Sequence, residues 1–230
     1  MLVFDPTAIV VRSVPVLCID TCSVLDIMRD PTRDETKPHE RKAAIDLLDR
    51  LETGDLVCLI AEQVELEFKE HDLPVQEEAT KAIQKLQERV DRANQVHGAF
   101  LSPISISLTH LDAMVASARQ IVQRWLNASV SAPGSTDALR CAMDRVNRNI
   151  SPARKGKDSV KDCLVLETYL EAMTSLRTAG LPATAVFLSS NSKEYLGETM
   201  VLKNDLQLDF FRTNMVYAAN MAQAKVTLGF

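Results

Sequence analysis

The sequence VLCIDTCSVLDI, residues 16–27, decides the fold class. Its first half is a short apolar run typical of a buried strand, and from Ser23 to Met28 the apolar residues recur with helical spacing. The apolar runs LVCLI at 56–60 and AVFLS at 185–189 have the same strand character and alternate with helical segments. Strands that alternate with helices form parallel sheets covered on both faces. The sequence therefore predicts an α/β fold with a central, mostly parallel sheet of four or five strands flanked by helices, closed by a strand and helix at about 214–228.

The middle of the chain has a different pattern. A helix is predicted over Glu62–His71, and a second begins at Pro74, after which apolar residues recur at steps of three and four. The pattern breaks at 98–103, and another apolar stripe runs from Leu108 to Trp125. These features predict a hairpin of two long amphipathic helices. Their apolar stripes fit core packing better than a partner-binding groove.

Composition limits the possible classes of protein. The length of 230 residues, of which 46% are hydrophobic, predicts a single domain over 1–230 with a sizeable core. This domain has a helical insertion at about 74–149, which includes a flexible stretch at 127–136. A charged fraction of 25%, 7 Gly and 5 Cys exclude disordered, collagen-like and disulfide-rich classes. The chain has no apolar run of about 18 residues, no basic leader and no C-x-x-C pair. We therefore expect a cytoplasmic protein with no membrane partner.

Two carboxylates follow the first two predicted strands. Asp20 ends the first strand, and ligands bind at the carboxyl ends of strands in parallel α/β sheets. Helix capping by Asp20, Thr21 or Ser23 explains this position equally well. Glu67 lies at the edge of the helical stripe that should face the sheet, where its side chain either points into the cleft or is simply exposed.

Further polar groups follow near the other end of the chain. Asp158 and Asp162 are four residues apart, so they share one face of a helix at its N-terminal end. Stabilisation of the helix dipole is the alternative explanation for this pair. The strand at 185–189 runs into Ser189, Asn191 and Glu194, which ordinary turn and capping chemistry also explains.

The order of these segments resembles that of the PIN-domain nuclease family. Its motifs correspond to CIDTCSVLDI, VELEF, KDCLVLETYL and LSSNSKEY, although this chain is larger than the small toxin-type members. The resemblance implies that the catalytic residues are Asp20, Glu67, Asp162 and Asn191, and that the metal ligands are Asp20, Glu67, Asp162 and, as an auxiliary, Asp158. Asn191 stands where many relatives have Asp, and Ser189 where Thr is common, so a second metal ion would be held more weakly unless Glu194 compensates.

The chemistry of this ligand set predicts the cofactor. Carboxylates brought together repel one another unless a cation lies between them, and oxygen ligands without His or Cys suit Mg²⁺ or Mn²⁺. The resemblance thus implies a metal-dependent endoribonuclease in which the ion activates water for hydrolysis of phosphodiester bonds in RNA. Two alternatives stay open: a catalytically inactive PIN-like module that binds RNA or protein, and a structure-specific DNA nuclease.

A basic segment at 145–157 contains five Lys and Arg residues and no acid, so it carries +5 in a chain of net charge −5. It leads directly to the predicted metal ligands, where it would hold a phosphate backbone, although a solvated loop is the alternative. The predicted substrate-binding residues are Thr21, Ser189, Arg148, Arg154, Lys155 and Lys157. The expected partners are RNA, an antitoxin or another protein, and a second copy of the chain in a homodimer.

Overall fold

A computed structural model describes residues 1–35, 37–102 and 105–230, so Pro103 of the predicted break lies outside the described residues. Among the described residues, the strands are β1 (Leu2–Val3), β2 (Val16–Ile19), β3 (Val57–Ala61), β4 (Val130–Ala132), β5 (Ala185–Leu188) and β6 (Met215–Ala218). The α-helices are α1 (Pro6–Arg12), α2 (Thr21–Leu25), α3 (Pro38–Thr53), α4 (Glu62–Phe100), α5 (Met114–Ala128), α6 (Thr136–Arg148), α7 (Val160–Thr178), α8 (Ser192–Tyr195), α9 (Asn204–Thr213) and α10 (Met221–Thr227). The strands form one parallel sheet in the order β1-β4-β3-β2-β5-β6.

Strand β2 lies at the centre of the sheet and is fully buried. Its Cys18 is in register with Leu59 of β3 and Phe187 of β5. Helix α7 packs on β3 and β4 and contacts α1, α4, α6 and α9, while α3 packs with α5 and α10. This arrangement confirms the predicted α/β class, because strands that are apolar on both faces require helices on both faces.

The sheet has more strands than the four or five predicted. The additional strands β1 and β4 pair with each other, and β4 also pairs with β3. Because β4 lies within the stretch 127–136, the prediction of flexibility there is wrong. A strand of three residues is too short to show a period in the sequence. The predicted closing strand and helix are confirmed as β6 and α10.

Helix α4 is one continuous helix of 39 residues, although a boundary was predicted at Pro74. Proline has no backbone N–H, so Pro74 cannot donate to the carbonyl of Glu70 as a helical residue normally would. Both residues are exposed, so water can donate to that carbonyl instead. Helix α5 returns along α4, where Arg119 Nε lies 2.8 Å from Asp72 Oδ2, which confirms the hairpin. Within the described part of the chain, no helix is both long enough and apolar enough to cross a membrane.

Candidate functional site

An open cavity of about 330 Å³ lies at the carboxyl edge of β2. Its lining residues are Asp20, Thr21, Cys22, Arg29, Glu67, Asp162, Ser190 and Asn191. The structure therefore brings together all four predicted catalytic residues from four separate parts of the chain. They come from the end of β2, from α4, from the first turn of α7 and from the segment after β5.

Asp20 is held from both sides of the cavity. Its Oδ1 accepts a hydrogen bond of 2.7 Å from the backbone N–H of Thr21, so the side chain does cap α2. Its Oδ2 accepts from the Ser189 hydroxyl at 2.7 Å and from the Cys22 thiol at 3.1 Å. Burial raises the pKa of Asp20, and the hydrogen bonds from Ser189 and Cys22 oppose that rise. Ser189, predicted to bind substrate, therefore contacts a candidate metal ligand.

Glu67 is half-buried, and both of its carboxylate oxygens have protein donors. The Thr21 hydroxyl donates to Oε2 at 2.7 Å, and Gln63 Nε2 donates to Oε1 at 3.0 Å. Thr21 was predicted to bind substrate, whereas in the structure its hydroxyl orients this carboxylate. Gln63 was not predicted, although its spacing of four residues from Glu67 on one helix was a usable signal.

Asp162 is influenced by the charges of the other acids around the cavity. It lies in the first turn of α7, where burial and then the charges of Asp20, Glu194 and Glu67 raise its pKa to about 7. Asp158, the predicted auxiliary ligand, is exposed and does not line the cavity. Its Oδ1 accepts instead from the backbone N–H of Val160 at 3.4 Å.

Glu194 is a buried acid beside this cavity, with 3% of its side chain exposed. Arg154 Nη1 and Lys157 Nζ both donate to its Oε1, at 3.3 and 3.1 Å. Its Oε2 is buried and has no hydrogen-bond partner among the described residues. Two predicted substrate-binding cations are thus tied to an acid close enough to raise the pKa of Asp162.

The other predicted substrate-binding cations lie differently. Lys155 is exposed. Arg148 forms an ion pair of 3.1 Å with Asp144 on the exposed side of α6. Arg145, at the start of the basic segment, is buried. The basic segment is therefore not one continuous cationic surface.

The donor types of the cavity fit a hard divalent cation. Asp20, Glu67 and Asp162 offer carboxylate oxygens and Asn191 offers an amide oxygen, which are the donors that Mg²⁺ and Mn²⁺ prefer. Burial raises the pKa of the Cys22 thiol to about 12. A thiol is also a softer donor than Mg²⁺ and Mn²⁺ prefer. Within residues 1–35, 37–102 and 105–230, however, no three His, Cys, Asp or Glu side chains converge closely enough to hold one ion.

Comparison with known proteins identifies the family. The family described as PIN domain matches residues 17–195, well over half of the chain. The searches of curated proteins and of solved structures each found no match. The matched span contains β2, α4, α7 and β5, which position the residues of the cavity. The chain therefore belongs to the PIN-domain family.

Proposed function

We propose that this protein is a metal-dependent endoribonuclease that hydrolyses phosphodiester bonds in RNA. PIN domains are generally nucleases, and one observation in this chain carries the proposal. The carboxylates of Asp20, Glu67 and Asp162 come from three elements to one open cavity, where the pKa of Asp162 rises to about 7. Acids buried beside one another are unfavourable unless a cation or a proton offsets their charge, so the arrangement favours a cation site.

The residues that would hold Mg²⁺ or Mn²⁺ are Asp20, Glu67, Asp162 and Asn191. When bound, such an ion lowers the pKa of a water molecule and neutralises charge on the phosphodiester. Direct attack by water requires no Ser, Cys or His nucleophile. The high pKa of Cys22 agrees with this scheme, because a thiol that stays protonated is a poor nucleophile.

The remaining residues of the cavity have positioning and binding roles in this scheme. Ser189 and Cys22 hold the Asp20 carboxylate, while Thr21 and Gln63 hold that of Glu67, so both are oriented before substrate arrives. Arg29 lines the same cavity and supplies a cation for a phosphate of the substrate. The cavity is open to solvent, as an internal phosphodiester of a polymer requires.

The test is cleavage of labelled single-stranded RNA, with DNA of the same sequence in parallel. Each reaction contains Mn²⁺, Mg²⁺ or EDTA, and the variants are Asp20→Asn and Asp162→Asn. The matched control is Asp91→Asn, an exposed acid on α4 at about 36 Å from Glu67 along the helix. We expect metal-dependent cleavage of RNA that the two site variants slow by about 100-fold or more and that the control leaves unchanged.

A PIN-like module without catalysis is the second candidate. It is favoured by the finding that, in the part of the chain described, no three potential ligands converge on one metal position. This candidate predicts that the wild type binds RNA but cleaves neither nucleic acid with any metal. It also predicts that Asp20→Asn binds RNA at least as tightly as the wild type, because the substitution removes a negative charge. Cleavage of the DNA alone would instead support a DNA nuclease.

A further inference from the structure

A second cavity, of about 320 Å³, adjoins the catalytic cavity. The two share Arg29 and Ser190 on their walls. We call the second cavity the arginine pocket, because Arg29, Arg33 and Arg41 line it. It lies between the segment after α2, the first turns of α3 and the start of α10. A ligand that extends beyond the catalytic cavity past Arg29 enters this pocket.

The three acids that line the arginine pocket all have partners. Asp26 forms an ion pair of 3.3 Å with Arg29, and Glu35 one of 3.3 Å with Arg33. Glu40 accepts a hydrogen bond of 2.8 Å from the backbone N–H of Lys37 at the start of α3. These acids are therefore already engaged at the pocket wall.

Arg41 lacks a carboxylate partner among the described residues. Its Nη2 donates to the backbone carbonyls of Arg29 and Asp30, at 2.9 and 3.1 Å. Its Nε is buried and has no acceptor in the same part of the chain. A guanidinium binds phosphate through its charge and its remaining N–H donors. The pocket thus offers to an anionic ligand the charge of Arg41, which no carboxylate of the described residues pairs.

The rest of the pocket wall suits a planar aromatic group. Its lining includes the apolar side chains of Ile27 and Met221, each less than a tenth exposed. The Asn220 side chain uses its Oδ1 to accept from the N–H of Gln223 at 2.9 Å, and its amide nitrogen has no acceptor within the described residues. An apolar wall with one free amide donor is a common arrangement for holding a nucleobase.

We propose that the arginine pocket binds the nucleotide next to the scissile phosphodiester, with its phosphate on Arg29 and Arg41 and its base between Ile27 and Met221. The proposal rests on the proposed function, since it assumes that RNA occupies the catalytic cavity. It assigns the pocket a role in substrate affinity rather than in chemistry. Single-stranded substrate fits best, because the base leaves its stack to enter the pocket.

The experiment measures binding in EDTA, so that cleavage plays no part. Fluorescence anisotropy gives the dissociation constant of a labelled single-stranded RNA over a range of salt concentrations for the wild type, Arg41→Gln and Arg33→Gln. Arg33→Gln keeps the test informative if Arg41→Gln, which loses two hydrogen bonds to backbone carbonyls, fails to fold. The control is Arg92→Gln, an exposed residue of α4 at about 37 Å from Glu67 along the helix.

We expect Arg41→Gln to weaken RNA binding by about five- to tenfold. The slope of log K against log salt concentration should become shallower by about 0.7, because one phosphate contact on a single strand contributes about that much. Arg33→Gln should weaken binding in the same direction, and Arg92→Gln should change neither quantity. A purely structural loss in Arg41→Gln would lower the fraction of active protein without changing the slope. Wild-type affinity and slope in both pocket variants, or no binding of the RNA by the wild type, would overturn the proposal.

A competition arm identifies the ligand class. Adenosine monophosphate should displace the RNA from the wild type at lower concentration than inorganic phosphate, and Arg41→Gln should reduce this difference. Equal competition by the two compounds would show a site for an anion only and would overturn the nucleotide assignment. The outcomes are separable from the proposed function: altered slopes without any cleavage overturn only the enzyme, whereas cleavage with unaltered slopes overturns only the pocket.

Discussion

The Ser189 hydroxyl lies 2.7 Å from Asp20 Oδ2, so the residue that follows β5 holds the carboxylate that ends β2. Because this hydrogen bond opposes the rise in the pKa of Asp20 caused by burial, Ser189→Ala should raise that pKa further and weaken the binding of a cation. We expect a loss of about tenfold in Mn²⁺ affinity, measured by titration calorimetry, since a hydrogen bond to a charged group is removed.

Two further variants test the hydroxyl itself. Ser189→Thr keeps the donor and should restore most of the affinity, and Ser192→Ala, at the start of α8, should leave it unchanged. Equal Mn²⁺ affinity in the wild type and Ser189→Ala would show that Asp20 needs no support from β5.

The raised pKa of Asp162 predicts how stability depends on pH when no metal is present. Its pKa is about 7 in the folded protein against 3.8 as the reference value, so the folded state holds the proton more tightly. The free energy of unfolding in EDTA should therefore fall as the pH rises from about 4 through 7. Asp162→Asn should remove this decline and stabilise the protein at pH 8 by about 2 kcal/mol, roughly half of what the displaced pKa corresponds to, because the cavity is open to water.

Thermal unfolding at several pH values measures this effect. Addition of Mg²⁺ at pH 8 should raise the melting temperature of the wild type and raise that of Asp162→Asn much less. A pH profile in EDTA that is identical for the two proteins would contradict the raised pKa of Asp162.

Tyr169 connects α7 to the two strands beside the cavity. Its hydroxyl donates to the carbonyl of Ile19 at 2.6 Å and accepts from the N–H of Ala61 at 2.9 Å. Tyr169→Phe leaves both buried groups without this partner, so we expect a loss of about 1–3 kcal/mol in the free energy of unfolding. The matched control is Tyr195→Phe, because the buried Tyr195 hydroxyl has no partner among the described residues. Denaturant unfolding should show the first variant destabilised and the second unchanged or more stable.

The parts of the site that were predictable from sequence have local signals. Asp20 ends an apolar run and Asp162 begins a helical pattern, and each pattern is complete within about ten residues. The backbone of a parallel sheet then brings strand ends to one edge, which is why residues so distant along the chain share a cavity. The contact of Cys22 with Asp20 was not predicted, because a cysteine has no distinctive signal for orienting a carboxylate. Gln63 did have a signal, its spacing of four residues from Glu67, but its contact was not predicted either.

The remaining features depend on contacts between distant segments. Strand β4 is defined by its pairing with β1 and β3 rather than by any period of its own. Burial of Arg145 likewise depends on acids at positions 167 and 209, which a scan for charge in 145–157 does not detect. The basic segment therefore combines a structural arginine with cations that are exposed, although its composition is uniform.

This division of the basic segment gives the last prediction. Arg145 connects three helices: it pairs with Glu167 on α7, with Asp209 on α9 at 2.6 Å, and donates to the carbonyl of Ser151 at 2.7 Å. Arg145→Ala leaves two half-buried acids without their shared partner, so we expect a loss of about 3 kcal/mol in the free energy of unfolding, the lower end for a broken buried pair. Arg148→Ala removes one exposed ion pair and should cost less than about 0.5 kcal/mol.

For RNA binding the order of the two variants should reverse, because of these two arginines only the exposed Arg148 is accessible to a phosphate. Arg148→Ala should weaken affinity for RNA and flatten its salt dependence. Arg145→Ala, where it is folded, should bind RNA as the wild type does. Urea unfolding and RNA titrations on the two variants measure both orders, and a stable Arg145→Ala with reduced RNA affinity would show that the segment acts as one cationic surface.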